Sequence, residues 1–266
     1  MQRIAISPSQ ISENHIALTP AQQHYLTRVI RLQPGAQFEV IDGSGKLYVA
    51  QIDCDSDRLR QRDRSQPPGT ISASIISIVA SDIDPLANPC LPPAITLICA
   101  LPKGNNFDDI VRACTELGVN TICPAISDRT LLDPSPQKLQ RWRKIAQEAA
   151  EQSERLTIPT IAAPQSLQTI FSQIPIDSTK YLCEARGDQP HLLECLQAQT
   201  LTHRQMTIAI GPEGGWTNGE LALAIACDFQ LVSLGRQILR TITAPIVALS
   251  IVTAAIDANT RPQVLI

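Results

Sequence analysis

Short apolar runs alternate with polar residues over residues 1–80, a pattern typical of β-strands joined by turns. Two of these runs, residues 38–41 and 47–52, flank Asp42-Gly43, which is a strong hairpin signal. Residues 25–32, which precede a Pro-Gly turn, and residues 71–79 are two more candidate strands. Together these segments predict a small β-barrel in the N-terminal part of the chain.

The pattern changes near residue 93. Prolines at positions 85, 89, 92 and 93 interrupt any helix or central strand there. Beyond them, apolar runs alternate with segments of helical spacing, which is typical of a parallel α/β sheet. The expected strands are residues 95–100, 119–126, 158–163, 180–184, 206–210 and 229–234, and the expected helices include residues 107–117, 138–155 and 243–258. We therefore predict two domains, residues 1–92, which include the proline-rich joint, and residues 93–266.

The composition favours a soluble globular protein, with 44% hydrophobic and 18% charged residues. No apolar run approaches the roughly 18 residues of a membrane span, and the first residues lack the apolar core of a signal peptide. Eight cysteines without a C-x-x-C pair, beside four histidines, argue against a metal site and favour a reducing cytoplasm. A net charge of −3 argues against a chain that coats nucleic acid indiscriminately.

Two glycine loops stand out in the C-terminal part. The first, residues 211–215, follows the apolar run 206–210 and precedes a helix opened by a Thr217/Glu220 capping box. The second, residues 235–240, follows the apolar run 229–234. Open α/β sheets bind ligands at the carboxyl ends of their strands, where glycine lets the backbone approach the ligand. Each loop alone could be an ordinary strand–helix turn, but two within thirty residues favour a binding site.

The residues of the loops narrow the choice of ligand. Neither G-x-G-x-x-G nor G-x-x-x-x-G-K-[ST] occurs, so both nucleotide fingerprints are absent. Glu213 would repel a phosphate held at the start of the following helix. The pattern therefore favours a neutral or cationic ligand that is recognised by backbone groups.

These same residues carry a family resemblance. The motif IGPEGG at residues 210–215, followed by SLG, ILR and TA within residues 233–244, resembles the C-terminal signature of the SPOUT methyltransferases, and within them the RsmE family, which methylates uracil N3 in 16S ribosomal RNA. The resemblance extends over both predicted domains, from His24 to about Ala255. Further matching positions are His24, Val29, Arg31, Leu32, Lys103, Gly104, Glu116, Leu117, Gly118, Pro124, Arg129, Glu151, Gln152, Ser153 and Arg155.

The resemblance implies an α/β fold with an N-terminal PUA-like, RNA-binding β-barrel and a C-terminal SPOUT domain that contains a trefoil knot. It also implies an S-adenosylmethionine (SAM) cofactor, a homodimer, and a decoding-region uridine of 16S rRNA in the small ribosomal subunit as target, with no DNA or membrane partner. The cofactor residues that it implies are Leu182, Glu184, Ile210, Gly211, Pro212, Glu213, Gly214, Gly215, Leu234, Gly235, Ile238 and Leu239. The RNA-binding candidates are Arg3, Arg28, Arg31, Lys103, Arg129 and Arg155.

The second glycine loop departs from the family pattern L-G-x-R-I-L-R-x-E-T-A at two positions. Gln237 replaces the first arginine and Ile242 replaces the glutamate, whereas the second arginine is retained as Arg240. We expect Arg240 to stabilise the uracil anion, the alternative being an ion pair with Glu213 or another acid. Ile242 leaves open an inactive, RNA-binding relative of the family, and a dinucleotide-dependent enzyme is a third possibility. The intact glycines favour the methyltransferase.

Overall fold

The structure, a computed structural model, describes residues 1–53, 72–80, 92–104, 106–130, 134–198 and 204–260. The chain divides into two compact units, one made of Met1–Ile83 with Ala150–Ile158 and the other of Asp84–Ala149 with Pro159–Ile266. Most of the predicted proline-rich joint lies outside the described residues, so the boundary between residues 92 and 93 stays a prediction.

The described part of the first unit contains a six-stranded sheet around an apolar core. Its strands are β1 (Arg3–Ala5), β2 (Ile11–Ser12), β3 (His15–Ala17), β4 (Gln37–Ile41), β5 (Leu47–Ile52) and β6 (Ser72–Ala80). The spatial order is β1-β4-β5-β6-β3-β2, with β1 parallel to β4 and the other pairs antiparallel. The predicted hairpin is confirmed, since Ile41 pairs with Leu47 across the Asp-Gly turn. Alternate residues Phe38 and Val40 are fully buried, as the period of a strand requires.

The prediction of a strand at residues 25–32 is wrong. Helix α1 (Pro20–His24) continues there into a π-helical turn, Tyr25–Val29, and a single 3-10 turn, Pro8–Gln10, precedes β2. Thr19 and Gln22 cap the first turn of α1 reciprocally, each side chain accepting a hydrogen bond from the other's backbone N–H. A proline at the first helical position is already shaped for this start. The apolar run fits a strand or a helix, and the cap at Thr19 favours the helix. From the helical turn Leu26 still reaches the core, where it is fully buried.

The described part of the second unit contains a parallel sheet, as the alternating pattern predicted. Its strands are β7 (Ala94–Ala100), β8 (Thr121–Ile126), β9 (Thr160–Ile161), β10 (Gln165–Ser166), β11 (Thr179–Cys183), β12 (Gln205–Ile210) and β13 (Gln230–Val232). The order is β10-β8-β7-β12-β11-β13, with β9 also paired to β8. Its helices are α2 (Phe107–Glu116), α3 (Pro136–Gln152), α4 (Leu167–Gln173), α5 (Leu192–Ala198), α6 (Asn218–Ala226) and α7 (Thr243–Thr260). The last residues of α3 belong to the first unit.

Helices cover this sheet and bury its strands. Leu97, Ile98 and Ile208 in the two central strands are fully inaccessible to solvent, as expected where both faces of a parallel sheet are covered. Helix α7 packs against α2 and α5 through an apolar side that includes Leu249 and Val252. None of the helices in the described residues combines the length and the apolar character needed to cross a membrane.

Candidate active site

The carboxyl ends of three neighbouring strands meet at one edge of the second sheet. Cys183, the last residue of β11, is in register with Ile210 of β12 on one side and with Val232 of β13 on the other. The segments that follow these strands line a single cavity of about 630 Å³. A cavity of this size at the carboxyl edge of a parallel sheet is where ligands bind in α/β folds.

Most of the predicted cofactor residues line this cavity. They are Glu184, Ile210, Gly211, Pro212, Glu213, Gly215, Leu234, Gly235, Ile238 and Leu239. The other two do not line it. Leu182 is completely buried in the apolar core, one position before the cavity-lining Cys183. Gly214 lies in the loop itself, where its carbonyl oxygen accepts a hydrogen bond from Arg129.

The first glycine loop is shaped by Trp216, which is 6% exposed and lines the cavity. Its indole N–H donates a hydrogen bond to the carbonyl of Cys183 at 3.0 Å, so it connects the ends of β11 and β12. Gly215 has a φ of 73°, a left-handed conformation that favours glycine. The loop then enters α6 through the predicted capping box, in which Thr217 and the buried Glu220 satisfy each other's backbone N–H groups.

Two acidic side chains line the cavity, and each is already hydrogen-bonded. Glu213 Oε1 accepts from the backbone N–H of Lys103 at 3.1 Å, and Glu184 Oε1 accepts from the backbone N–H of Arg186 at 2.8 Å. Burial raises the pKa of the Cys183 thiol to about 12, so this thiol is neutral at physiological pH. The cavity is therefore lined by two acidic residues and by Cys183, whose buried thiol is uncharged.

The second glycine loop brings Arg240 to the cavity. Gly235 has a φ of 124°, and its N–H is held by the Ser233 hydroxyl at 3.0 Å. The carbonyl of Arg240 accepts the N–H groups of Thr243 and Ala244, which starts helix α7. Its side chain is exposed and lines the cavity, and among the described residues it forms no ion pair within 4.0 Å. The alternative prediction, an ion pair of Arg240 with Glu213 or another acid, is therefore not observed among the described residues.

Several lining residues were not among the predicted site residues. They are Asn106, Cys183, Ala185, Arg186, Trp216, Gln237, Thr241, Ile242 and Ala244. Trp216 could have been found, since a tryptophan directly after two glycines is conspicuous in a chain with 3% aromatic residues. Asn106 comes from the loop after β7, which adjoins β12 in the sheet, and only the strand order reveals that proximity.

The predicted RNA-binding residues have different surroundings. Arg28 and Arg31 are exposed on the first unit. Arg3 is instead paired with Glu39 at 2.7 Å and its side chain is only 10% exposed. Arg155 is half-buried, and burial lowers its pKa to about 10. In the second unit, Lys103 and Arg129 are both exposed, and Arg129 also contacts the first glycine loop.

Comparisons with known proteins agree with this geometry. The family model of an RNA methyltransferase domain matches residues 89–253, and that of an RNA methyltransferase PUA domain matches residues 18–53. The chain is 42% identical over 257 residues to ribosomal RNA small subunit methyltransferase E of Synechocystis, covering 96% of this chain and 78% of that protein. It is 28% identical to the Bacillus subtilis protein of the same name, covering 95% and 96%.

Solved structures give the same result. The structure of ribosomal RNA small subunit methyltransferase E from Neisseria gonorrhoeae bound to S-adenosyl methionine superposes with a TM-score of 0.76 at 28% identity, covering 94% of this chain and 95% of that one. A probable rRNA methyltransferase from Porphyromonas gingivalis, 20% identical, shares the fold with a TM-score of 0.78 over 97% of this chain and all of that one.

The fold and the cavity define a two-part RNA methyltransferase, with a PUA-type N-terminal unit and a SPOUT-type C-terminal unit. The 42% identity to the Synechocystis protein extends over 96% of this chain and identifies one family within this class. The chain belongs to the ribosomal RNA small subunit methyltransferase E family.

Proposed function

We propose that this chain transfers a methyl group from SAM to N3 of a uridine in small-subunit ribosomal RNA. The observation that carries the proposal is the cavity that both glycine loops build at the ends of β11, β12 and β13, with Arg240 on its wall. Support comes from the family membership and from the Neisseria relative, which is bound to S-adenosyl methionine.

The residues of the cavity suit this cofactor. Its volume of about 630 Å³ lies in the range that holds a nucleoside-sized ligand. Gly211 lacks the Cβ that would press on Trp216, so the indole ring can pack directly against the loop. Glu184 and Glu213 place negative charge around a site that must accept a positively charged sulfonium. Apolar lining by Ile210, Leu234 and Leu239 is the usual complement to these few polar groups.

The target atom sets the remaining chemical requirement. Uracil N3 is an imide nitrogen that is protonated at neutral pH, so the nitrogen must lose its proton before or during methylation. A cation facing the uracil carbonyl oxygens lowers the cost of that negative charge. Arg240 meets this need, because it lines the cavity and has no acidic partner among the described residues. When bound, SAM supplies a methyl group that is already activated on its sulfonium sulfur.

The wider assembly belongs to the same proposal. We infer a homodimer in the cytoplasm, because SPOUT-type sites adjoin a two-fold interface in the family that the sequence resembles.

Arg28 and Arg31 are the best RNA contacts in the first unit, since both are exposed and neither forms an ion pair in the described residues. Because a base that is methylated at N3 must be unpaired, the target uridine lies in a loop or an exposed junction.

Calorimetric titration with SAM and a methyl-transfer assay on small-subunit particles that lack the modification test this function together. Mass spectrometry of the nucleosides should detect 3-methyluridine.

For Arg240→Gln we expect SAM affinity within about threefold of wild type and a transfer rate roughly 100-fold lower, as when one preorganised charge-stabilising donor is removed. Arg236→Gln, an exposed neighbour that does not line the cavity, is the matched control. Absence of SAM binding by the wild-type protein would overturn the proposal.

A further inference from the structure

Arg129 does more than present a charge to solvent. It follows strand β8 by three residues, and its Nη1 donates hydrogen bonds to the carbonyls of Gly214 and Gly215, the latter at 3.2 Å. Its Cδ would lie 3.0 Å from a Cβ atom built on Gly214. Both the guanidinium and the aliphatic part of the side chain therefore engage the same glycine turn.

The residue before it engages the other end of the same segment. The backbone N–H of Asp128 donates to Glu220 Oε1 at 2.9 Å, and the Asp128 carboxylate accepts from the Thr217 hydroxyl at 2.8 Å. Two consecutive residues of the loop after β8 thus hold residues 214–220 at both ends. Between the two attachment points lies Trp216, which lines the cavity.

A turn made of two glycines has more backbone freedom than any other dipeptide and loses more entropy when it is ordered. Within the turn, the N–H of Gly215 is already used by the carbonyl of Pro212 at 2.9 Å. The carbonyls of Gly214 and Gly215 point to Arg129, and a hydrogen bond from a charged donor is among the stronger ones available to a carbonyl. Arg129 is therefore placed to fix the conformation of the turn before any ligand binds.

We propose that Arg129 is a positioning residue for the methyl-donor site: it holds the Gly214–Gly215 turn so that the cavity is preformed for SAM. The inference rests on the proposed function for the identity of the ligand. It is an alternative to the expectation that Arg129 binds RNA, and the two carbonyls of the chain that accept from Nη1 are what favours it.

Two variants separate this role from RNA contact. Arg129→Met keeps the aliphatic part that packs on Gly214 but removes every donor, and Arg129→Lys restores one charged donor. Arg112→Met is the matched control, because Arg112 is a half-exposed arginine of the same unit whose partner is Asp109 on its own helix. Thermal unfolding of each variant checks that the fold is retained.

The first readout is SAM affinity measured by calorimetry. We expect Arg129→Met to bind SAM about 10- to 100-fold more weakly, as the loss of a charged hydrogen bond predicts, Arg129→Lys to recover part of that loss, and Arg112→Met to match wild type. In steady-state assays the KM for SAM should rise while the KM for the RNA particle stays within about twofold. A purely structural defect would not restrict its effect to one substrate.

The second readout needs no ligand and no activity. Hydrogen exchange of the peptide containing residues 211–217 should be faster in Arg129→Met than in wild type or Arg112→Met, because the turn opens more often. Unchanged SAM affinity and unchanged exchange in Arg129→Met would overturn the inference, and so would weaker RNA binding with intact SAM binding. If the wild-type protein fails to bind SAM, the proposed function and the inference are both overturned. If the wild-type protein binds SAM and Arg129→Met behaves like it, only the inference is overturned.

Discussion

The indole ring of Trp216 lies so close to Gly211 that a Cβ atom at Gly211 would stand 3.0 Å from the ring. The ring cannot retreat easily, because it is 6% exposed and its N–H is bonded to the Cys183 carbonyl. Gly211 is thus required by the packing of one side chain and not by its own backbone angle, which lies outside the left-handed region. This contact sets the shape of the cavity wall at the end of β12.

Gly211→Ala should therefore damage both stability and ligand binding. Forcing a methyl group into this contact costs about 1–3 kcal/mol, the usual range for overpacking, and displaces a residue of the cavity wall. We expect a lower melting temperature and SAM affinity at least about tenfold weaker. Gly219→Ala is the control, since the nearest atom to its Cβ would be 3.9 Å away and it does not line the cavity. Equal melting temperatures and equal SAM affinities of the two variants would mean that the contact between Gly211 and Trp216 determines neither stability nor binding.

Trp216 should also report ligand binding by its fluorescence. The chain has two tryptophans, and the other, Trp142, is buried beside Phe107, with its indole N–H donating to Asp108 at 3.1 Å. In Trp142→Phe, titration with SAM should change the emission with the dissociation constant found by calorimetry. Trp216→Phe should abolish the change and, through loss of the bond to Cys183, cost about 0.5–1.5 kcal/mol of stability. A full signal in Trp216→Phe would place the ligand elsewhere.

The parallel sheet and both glycine loops were predictable from the sequence because each depends on local pattern. Apolar runs that end in glycine mark the ends of β12 and β13, and the Thr217/Glu220 box marks the start of α6. Residues 25–32 were not predictable in this way, because their apolar run fits a strand as well as a helix and the cap at Thr19 starts a helix there. The short helices α4 and α5, each of seven residues, were not predicted because they carry too few turns for a clear period.

Spatial neighbours were harder to predict than elements. Asn106 reaches the cavity only because β7 lies beside β12, although more than one hundred residues separate the two strands in sequence. The acceptors of Arg129, the carbonyls of Gly214 and Gly215, were not predictable, because an arginine gives no sequence signal of its acceptor, and its contact with RNA stays a prediction. The trefoil knot implied by the resemblance stays a prediction, since threading is a property of the whole chain and leaves no local pattern.

The buried thiols predict a loss of stability in alkaline solution. Burial raises the pKa of Cys114 to about 12 and that of Cys123 to about 11, from an ordinary value of 9.0. The folded state therefore keeps thiol protons that the unfolded chain releases. This contribution is complete below about pH 9 and is lost as the pH rises towards the folded pKa values, by up to about 1.4 kcal/mol per thiol and pH unit.

Urea unfolding between pH 7.5 and 10.5 measures this effect as a slope. In Cys114→Ala the free energy of unfolding should fall less steeply with pH, because the contribution of one thiol is removed. Val119→Ala, at another fully buried position, should lower stability at every pH and leave the slope unchanged. Parallel slopes in wild type and Cys114→Ala would contradict the assignment of the proton to this thiol.

Ile242 tests whether the reaction needs a carboxylate at the position where the resembled family has glutamate. Ile242 lines the cavity together with Arg240, so a carboxylate at 242 would offset the positive charge of Arg240, to which we assign the stabilisation of the uracil anion. We therefore expect Ile242→Glu to lower the methyl-transfer rate by about tenfold or more. Ile242→Gln, of nearly the same shape and without charge, should fall less, and both variants should bind SAM. A rate for Ile242→Glu well above those of wild type and Ile242→Gln would show that the natural chain works with a missing base, and would favour a weakly active or inactive RNA-binding relative over an efficient enzyme.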